Sequence, residues 1–406
     1  MTLLNNMKKY SWIIKALSHL PWSVKKDAVL TLLTARKKYL PRKKTHADVE
    51  SILKCALCPN MCRFDCPVLD SSKSETTSPA GKARIAYLYE MGRLGCTEAI
   101  DLMYACAGCG ACLQWCPFGF CVEDLLLGVR RDAVQNRPQV IPPQLDQLKE
   151  TLITHHTTHK KGCTSLNAGD LEGNILYFAG CTALNKTPEI PAATLSILEK
   201  AGIEYATLPE EWCCGAPLMM AGFHDEFLEF ARHNRNELGR FDRILCSCPT
   251  CCYTFTEIYS SMGLSLDTPV MHTSEFLLDL IAQGSVRLKG EEPEYEHVYV
   301  YHDPCVLSRK LHICEEPRTL LNSIPGVTLS EAQFSRSETR CCGMGGLLSI
   351  THPQISFEMG KRRVSQLGRV SDRIITACPA CKTSFNRVGA SHVMDISEVI
   401  ANSLGD

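Results

Sequence analysis

The chain has 406 residues, is 45 % hydrophobic and 21 % charged, and carries a formal net charge of −1. That make-up suits a globular chain of about two to four domains, and no apolar run approaches the roughly 18 residues of a membrane-spanning helix. Twenty-four cysteines with no visible secretory leader exclude a disulfide framework, since the cytosol keeps thiols reduced; their grouping in short motifs points to metal.

The first segment, 1–45, reads as a basic amphipathic helical arm. It holds eleven Lys or Arg against one acid, Asp27, leaving 32 basic and 43 acidic residues for the rest. Tyr10, Ile13, Ile14 and Leu17 share a helical face, with Trp12 and Trp22 beside it. Such an arm suits an anionic membrane surface or a partner protein; an ordinary helix packed on its own body is the alternative. Nucleic acid is not expected, because no recognised module or aromatic-interleaved basic patch follows.

Segment 46–135 carries two cysteine runs. "CALCPNMCRFDCPV" supplies Cys55, Cys58, Cys62 and Cys66; "CAGCGACLQWCPFG" supplies Cys106, Cys109, Cys112 and Cys116. The second is the bacterial ferredoxin run C-x2-C-x2-C-x3-C-P, and the first has one extra residue between its second and third cysteines. Zinc also takes C-x2-C pairs, but two runs each closed by Cys-Pro favour cubane [4Fe–4S] clusters. In two-cluster ferredoxins the last cysteine of each run crosses to the other cluster. That rule assigns Cys55, Cys58, Cys62 and Cys116 to one cluster and Cys66, Cys106, Cys109 and Cys112 to the other. Between the runs, Ile85, Leu88 and Tyr89 share a helical face, and Gly92 and Gly95 interrupt it. The wide spacing resembles the α-helical ferredoxin domains of the iron–sulfur proteins of fumarate reductases.

A stretch at 136–173 reads as a polar linker; its His155, His156, His159 and Cys163 could hold zinc only if the geometry were fixed. Beyond it, strand and helix patterns alternate in two copies, 174–290 and 291–406. "LGRFDRILCSCPTC" and "LGRVSDRIITACPAC" align with one inserted residue, so Cys248 and Cys251 fall on Cys378 and Cys381. The expected architecture is a helical two-cluster ferredoxin domain followed by two duplicated small α/β domains, with cysteines gathered at strand ends. Each copy supplies five cysteines: Cys181, Cys213, Cys214, Cys248 and Cys251, then Cys305, Cys341, Cys342, Cys378 and Cys381. Adjacent cysteines project differently and fit two irons of an unusual cluster; a four-ligand cluster with a spare thiol is the alternative. Gly215 and Gly343 are expected to let the backbone approach the inorganic core. Cys96, Cys121, Cys246, Cys252 and Cys314, with Cys163, read as bystanders.

Cys…Cys-Cys-Gly…Cys-Pro-x-Cys, twice, behind a two-cluster ferredoxin segment, resembles the family of heterodisulfide reductase D subunits. That group of CCG-domain proteins includes the iron–sulfur components of glycolate oxidase and anaerobic glycerol-3-phosphate dehydrogenase. "CCGAP", "CCGMGG" and "HDPC" with Arg309 four residues on also match, and the likeness runs from about 50 to 400. The resemblance implies an anaerobic, cytoplasmic oxidoreductase, peripheral on the membrane if its arm binds there. It implies two non-cubane [4Fe–4S] clusters, one per five-cysteine set, that reduce a disulfide or oxidise the dithiol. His302 is the candidate catalytic group, placed to protonate a leaving thiolate; hydrogen bonding to a ligand sulfur is its other reading. Neither flavin nor NAD is expected, as no G-x-G-x-x-G follows a strand. Electrons must then be exchanged with a flavoprotein, another redox subunit or a membrane cytochrome. A relay between a flavoprotein dehydrogenase and membrane quinone is the second function in view.

Overall fold

The computed structural model describes residues 21–41, 43–160, 173–289 and 297–405. The apolar face of the arm (Tyr10, Trp12, Ile13, Ile14, Leu17) and Cys163 lie outside them. Of the arm, the helix Trp22–Tyr39 is described, with Trp22 79 % exposed. Among the described residues no helix is long and apolar enough to cross a membrane.

The ferredoxin part is helical. Val49–Leu57 buries Val49, Ile52 and Ala56, spaced three and four apart, and ends where the first cysteine run begins. Ser78 caps the next long helix, Pro79–Glu90, by accepting from the Gly81 N–H, with Pro79 in the first turn. That helix buries Lys82, Ala83, Ala86 and Tyr89, whereas Ile85 and Leu88 are only partly covered. The inward face is therefore one of small residues, which lets this helix lie close against Val49–Leu57. Beyond Gly92 and Gly95 come Thr97–Tyr104 and Val122–Asn136, whose Val129 and Ala133 are fully buried.

Part of the stretch expected as a linker is helical. Pro143–His155 is a helix burying Leu145, Leu148 and Leu152, an i, i+3, i+7 pattern that its polar neighbours obscured.

Each duplicated domain is a four-stranded parallel sheet. In the first, β1 (Ile175–Phe178), β2 (Tyr205–Ala206), β3 (Arg243–Cys246) and β4 (Val270–His272) lie in the order β2-β1-β3-β4. In the second, β5 (His297–His302), β6 (Val327–Ser330), β7 (Arg373–Thr376) and β8 (His392–Asp395) lie in the order β6-β5-β7-β8. Parallel strands covered on both faces read as short apolar runs, as "ILYF" and "RILC" do. Leu176, Phe178, Ile244 and Cys246 face a core shared with the ferredoxin part; Tyr177 and Leu245 face one shared with Tyr299, Tyr301 and Ile375 of the second sheet. Fully burying a Leu, Ile or Phe is worth roughly 1.5–3 kcal/mol, so these shared cores bind three parts into one body.

The repeat runs further than the cysteines. "VMHTSE" at β4 and "VMDISE" at β8 both end in capping boxes, with His272 and Asp395 as the caps and Glu275 and Glu398 reaching back. In both sheets the strand order reverses between the two central strands, so the loops at their carboxyl ends diverge there.

Candidate iron–sulfur sites

Cys55, Cys58, Cys62 and Cys116 line one cavity of about 160 Å³, together with Met61, Trp115 and Phe118. Burial pushes the Cys55 thiol up to about 11 and Cys62 to about 12, and the neighbouring sulfurs add to this. The Phe120 N–H donates to Cys116 Sγ at 3.3 Å. Cys66, Cys106, Cys109 and Cys112 line a second, smaller cavity. Cys116 of the second run thus lines the first cavity and Cys66 of the first run lines the second, while Cys112 borders both.

Lys82 was not picked out from sequence. It is 1 % exposed and its Nζ donates to the Ala105 carbonyl at 2.8 Å. Burial works against its charge, but Cys106, Cys66, Cys112 and Cys109 outweigh burial and hold the ammonium above its ordinary range. A buried cation amid four sulfurs is tolerable only if those sulfurs carry negative charge.

In the first copy, Cys181 opens the helix after β1, Cys213 and Cys214 follow β2, and Cys248 and Cys251 follow β3. Cys181 and Cys213 sulfurs stand 3.8 Å apart. Cys214 is held well below the ordinary thiol range by hydrogen bonds from Cys213 and Cys251, against burial. The supposed linker covers this site. Thr158 Oγ1 donates to Cys181 Sγ at 3.4 Å, and the His156 carbonyl accepts from Cys213 N at 2.7 Å. His156 does not gather with His155 and His159 for zinc; it stacks on Trp212 at 3.5 Å and pairs with Glu210 at 2.6 Å. Glu211 accepts from the Ala179 and Gly180 N–H groups at 2.9 and 2.7 Å, fixing the loop before Cys181.

The glycines differ from expectation. Gly215 (φ +82°) and Gly343 (φ +92°) have left-handed backbones, and a Cβ there would meet Phe227 and Phe230, or the Ser356 carbonyl and Met359, not sulfur. The need is conformational and steric against a helix. Gly180 is the glycine beside thiols, 3.3 Å from Cys251 Sγ at its would-be Cβ.

In the second copy, Cys305 and Cys341 sulfurs are 3.9 Å apart and Cys381 and Cys342 sulfurs 3.3 Å. The Gly343 N–H donates to Cys341 Sγ at 3.4 Å. Cys341 also hydrogen-bonds Cys109 of the second ferredoxin run. Arg309 ties the two loops together, donating to the carbonyls of Cys109 (2.9 Å), Ser337 (2.7 Å) and Thr339. Gly345 and Gly346 press on the same ferredoxin loop: a Cβ on Gly345 would stand 2.5 Å from the Ala107 carbonyl, and one on Gly346 would strike that of Cys106. Asp303 grips Arg318 through both oxygens, at 2.7 and 2.9 Å. His302 is fully buried, and a ring nitrogen lies with the Cys342 and Cys381 sulfurs, all within 4.8 Å of one another. Burial pushes its basicity down.

The two copies meet beside their sulfurs. The helix Cys181–Lys186 packs on Pro379–Arg387, and Pro249–Tyr253 on Cys305–Arg309. Cys378, drawn down by a hydrogen bond with Cys381 but raised overall by burial, also feels the charge of Cys248. Of the cysteines expected as bystanders, Cys121 differs, because it lines the second cavity beside the four-cysteine set. Cys96 is exposed, Cys246 and Cys252 are packed in the core, and Cys121 abuts Cys112 at the second cavity.

These donor sets fit iron–sulfur groups. Burial pushes thiols such as Cys55 and Cys62 towards staying protonated, whereas metal ligation removes the proton and uses the charge. Backbone N–H groups aimed at Cys116 and Cys341, and the Lys82 ammonium, match sulfur bearing negative charge.

Comparison with known proteins agrees with this reading. A family model described as a cysteine-rich domain, CCG, matches residues 175–256 and 299–386, and a 4Fe-4S dicluster domain matches 51–120. The D subunit of dihydromethanophenazine:CoB–CoM heterodisulfide reductase from Methanosarcina barkeri is 30 % identical over 343 residues, 80 % of this chain and 83 % of that protein. The B subunit of fumarate reductase (CoM/CoB) from Methanothermobacter marburgensis is 28 % identical over 379 residues, 89 % of this chain and 74 % of that protein. A hypothetical protein from Helicobacter pylori shares the fold, with a TM-score of 0.54 at 10 % identity over 98 % of this chain and 76 % of that one. With its ferredoxin part and paired cysteine-rich domains, the chain belongs to the family of heterodisulfide reductase D subunits, iron–sulfur components of reductase complexes.

Proposed function

We propose that the chain is the iron–sulfur component of an anaerobic, cytoplasmic complex that passes electrons between a redox partner and a disulfide/dithiol couple. In this reading Cys55, Cys58, Cys62 and Cys116 hold one cubane cluster, and Cys66, Cys106, Cys109 and Cys112 hold the second. Cys181, Cys213, Cys214, Cys248 and Cys251 hold one non-cubane cluster; Cys305, Cys341, Cys342, Cys378 and Cys381 hold the other. Bound clusters of this kind supply one-electron transfer. Splitting one disulfide consumes two electrons and two protons and yields two thiols, so a pair of one-electron sites side by side matches the stoichiometry.

The observation that carries this reading is the meeting of the two five-cysteine sites, with Cys248 near enough to act on Cys378. The Cys109–Cys341 contact supports delivery of electrons through the second copy. Both named relatives carry the CoM/CoB pair in their names, one as a heterodisulfide, which supports a disulfide substrate class here. Met61, Trp115 and Phe118 are exposed apolar residues around the first cysteine cavity, and exposed Phe64 lines the adjoining cleft with Met61 and Trp115, a suitable face for the flavoprotein or other redox subunit.

The test is anaerobic oxidation of the purified protein with candidate thiols, followed by paramagnetic resonance. A thiol-dependent signal that broadens with iron-57 is expected, and its loss in Cys342→Ser or Cys214→Ser with both cubane signals intact. No thiol response in any cluster sinks the disulfide reading. That result would leave the relay between a flavoprotein dehydrogenase and membrane quinone. The relay is favoured by the N-terminal helix, where exposed Trp22 and Val24 adjoin Lys26, a composition suited to an anionic membrane surface.

A further inference from the structure

The two five-cysteine sites differ in one paired replacement. Phe178 and His302 end equivalent strands, each three residues before the first cysteine of its set. Asn234 and Arg363 occupy equivalent places on the helices His224–Leu238 and Pro353–Leu367, each four residues before the shared Leu-Gly-Arg. In the first copy Phe178 packs edge-on against Phe255 at 4.9 Å, while Asn234 donates to the Cys213 carbonyl at 2.9 Å. In the second, Arg363 turns to His302: its Nε stands 3.1 Å from His302 Nδ1. Its other nitrogens reach the carbonyls of Gln333 at 3.3 Å and Phe334 at 3.1 Å.

Arginine has only donors, so the nitrogen it binds must be the lone-pair nitrogen of a neutral imidazole. The proton then sits on Nε2, which is buried and has no hydrogen-bond partner of its own among the described residues. A nitrogen carrying that proton cannot ligate iron. It can donate to sulfur, and the sulfurs of Cys342 and Cys381 are the groups beside it.

Resting on the reading that the second copy holds an iron–sulfur cluster, we propose that Arg363 is a positioning residue that fixes His302 as an Nε2–H donor to the sulfur of Cys342. An N–H donor stabilises the extra negative charge of the reduced state, so this contact makes the second-copy site easier to reduce than it would be without it. The first copy, with Phe178 there, has no ring N–H at that place; the donors to its sulfurs are hydroxyls, Thr158 to Cys181 at 3.4 Å and Thr254 to Cys214.

Iron and acid-labile sulfide are measured first, on the wild-type chain; a second-copy site without iron fails the functional reading, not this one. The wild-type protein, labelled with 15N-histidine, is then examined by electron–nuclear resonance of the second-copy signal. A weak nitrogen coupling with a solvent-exchangeable proton is expected. A strong coupling, meaning a ligand, or no nitrogen coupling at all, overturns the proposal without need of any variant. In redox titrations His302→Phe and Arg363→Met should each shift the second-copy reduction equilibrium about tenfold towards the oxidised form, 59 mV for one electron. Arg363→Lys should restore most of it, and the first-copy signal should not move. Unchanged second-copy midpoints in both His302→Phe and Arg363→Met overturn the assignment.

Discussion

Lys82 and Glu90 sit at the two ends of one helix, Pro79–Glu90, and illustrate opposite uses of a buried charge. Lys82 faces four cysteines and gains from them more than burial costs it. Replacing it with Met removes the cation and should lower the midpoint of the second cubane by about 60 mV or more, roughly tenfold, leaving the first unmoved. A redox titration followed by paramagnetic resonance reads both at once. Glu90 has no such partner: burial, then the nearby Asp132, raise its carboxyl to about 8, from an ordinary value of 4.5. A folded value above the unfolded one means the fold holds the proton more tightly, so stability falls as pH rises from about 4.5 towards 8. Glu90→Gln should therefore raise the melting temperature at pH 8.5 and leave it nearly unchanged at pH 4.5. Equal shifts at both values would refute the buried-acid account. Neither residue stood out in the sequence, because a lysine or glutamate within a helix normally faces water, and only the packing of distant segments turned these two inward.

Elements were legible wherever their signal was local. The cysteine runs, the strands before Cys181 and Cys248, and the glycine breaks at 92 and 95 all carry their meaning in a few consecutive residues. The helix Pro143–His155 escaped because its three inward leucines are diluted by polar positions, and β2 because two residues make no periodic pattern. The glycines after the paired cysteines were legible as necessary but not for the right reason. Their positive φ is a property of the turn, and the atoms they avoid belong to helices 12 or more residues away. Gly346 shows what such a position does between elements. Its φ of +63° and its contact with the Cys106 loop make an added Cβ both strained and obstructive. Gly346→Ala should lose about 1–2 kcal/mol from the backbone conformation alone and slow electron equilibration between the second cubane and the second-copy site. Gly389 (φ +88°), whose Cβ would meet nothing within 4 Å, is the control: Gly389→Ala should carry the backbone cost without the slowing. Freeze-quenched paramagnetic spectra and thermal denaturation separate the two effects.

Over the whole molecule, the three parts share continuous cores, so the duplicated domains hold fixed positions relative to the ferredoxin part. The arm is different, because its helix Trp22–Tyr39 leaves large apolar side chains exposed. The Tyr87 hydroxyl donates to the Tyr39 carbonyl at 2.9 Å, which marks where the arm joins the body. Removing residues 1–38 should thus leave iron content unaltered while weakening sedimentation with anionic vesicles or with the redox partner; undiminished association would rule out an attachment role. The amino-acid sequence alone determined that thiols gather at four places and that a five-cysteine unit occurs twice, because each of these is written in short spacings. The sequence already sets Phe178 against His302, but only the tertiary structure decided how unequally the two copies are surrounded. The second meets the ferredoxin loop through Arg309, Gly345 and Gly346, and sets His302 and Arg363 behind its sulfurs, whereas the first is covered by His156 and Thr158. Those contacts join residues as distant as Arg309 and Cys109, 200 positions apart, and Gly346 and Cys106, which are further still, and no local pattern in a chain reports which distant surface it will face.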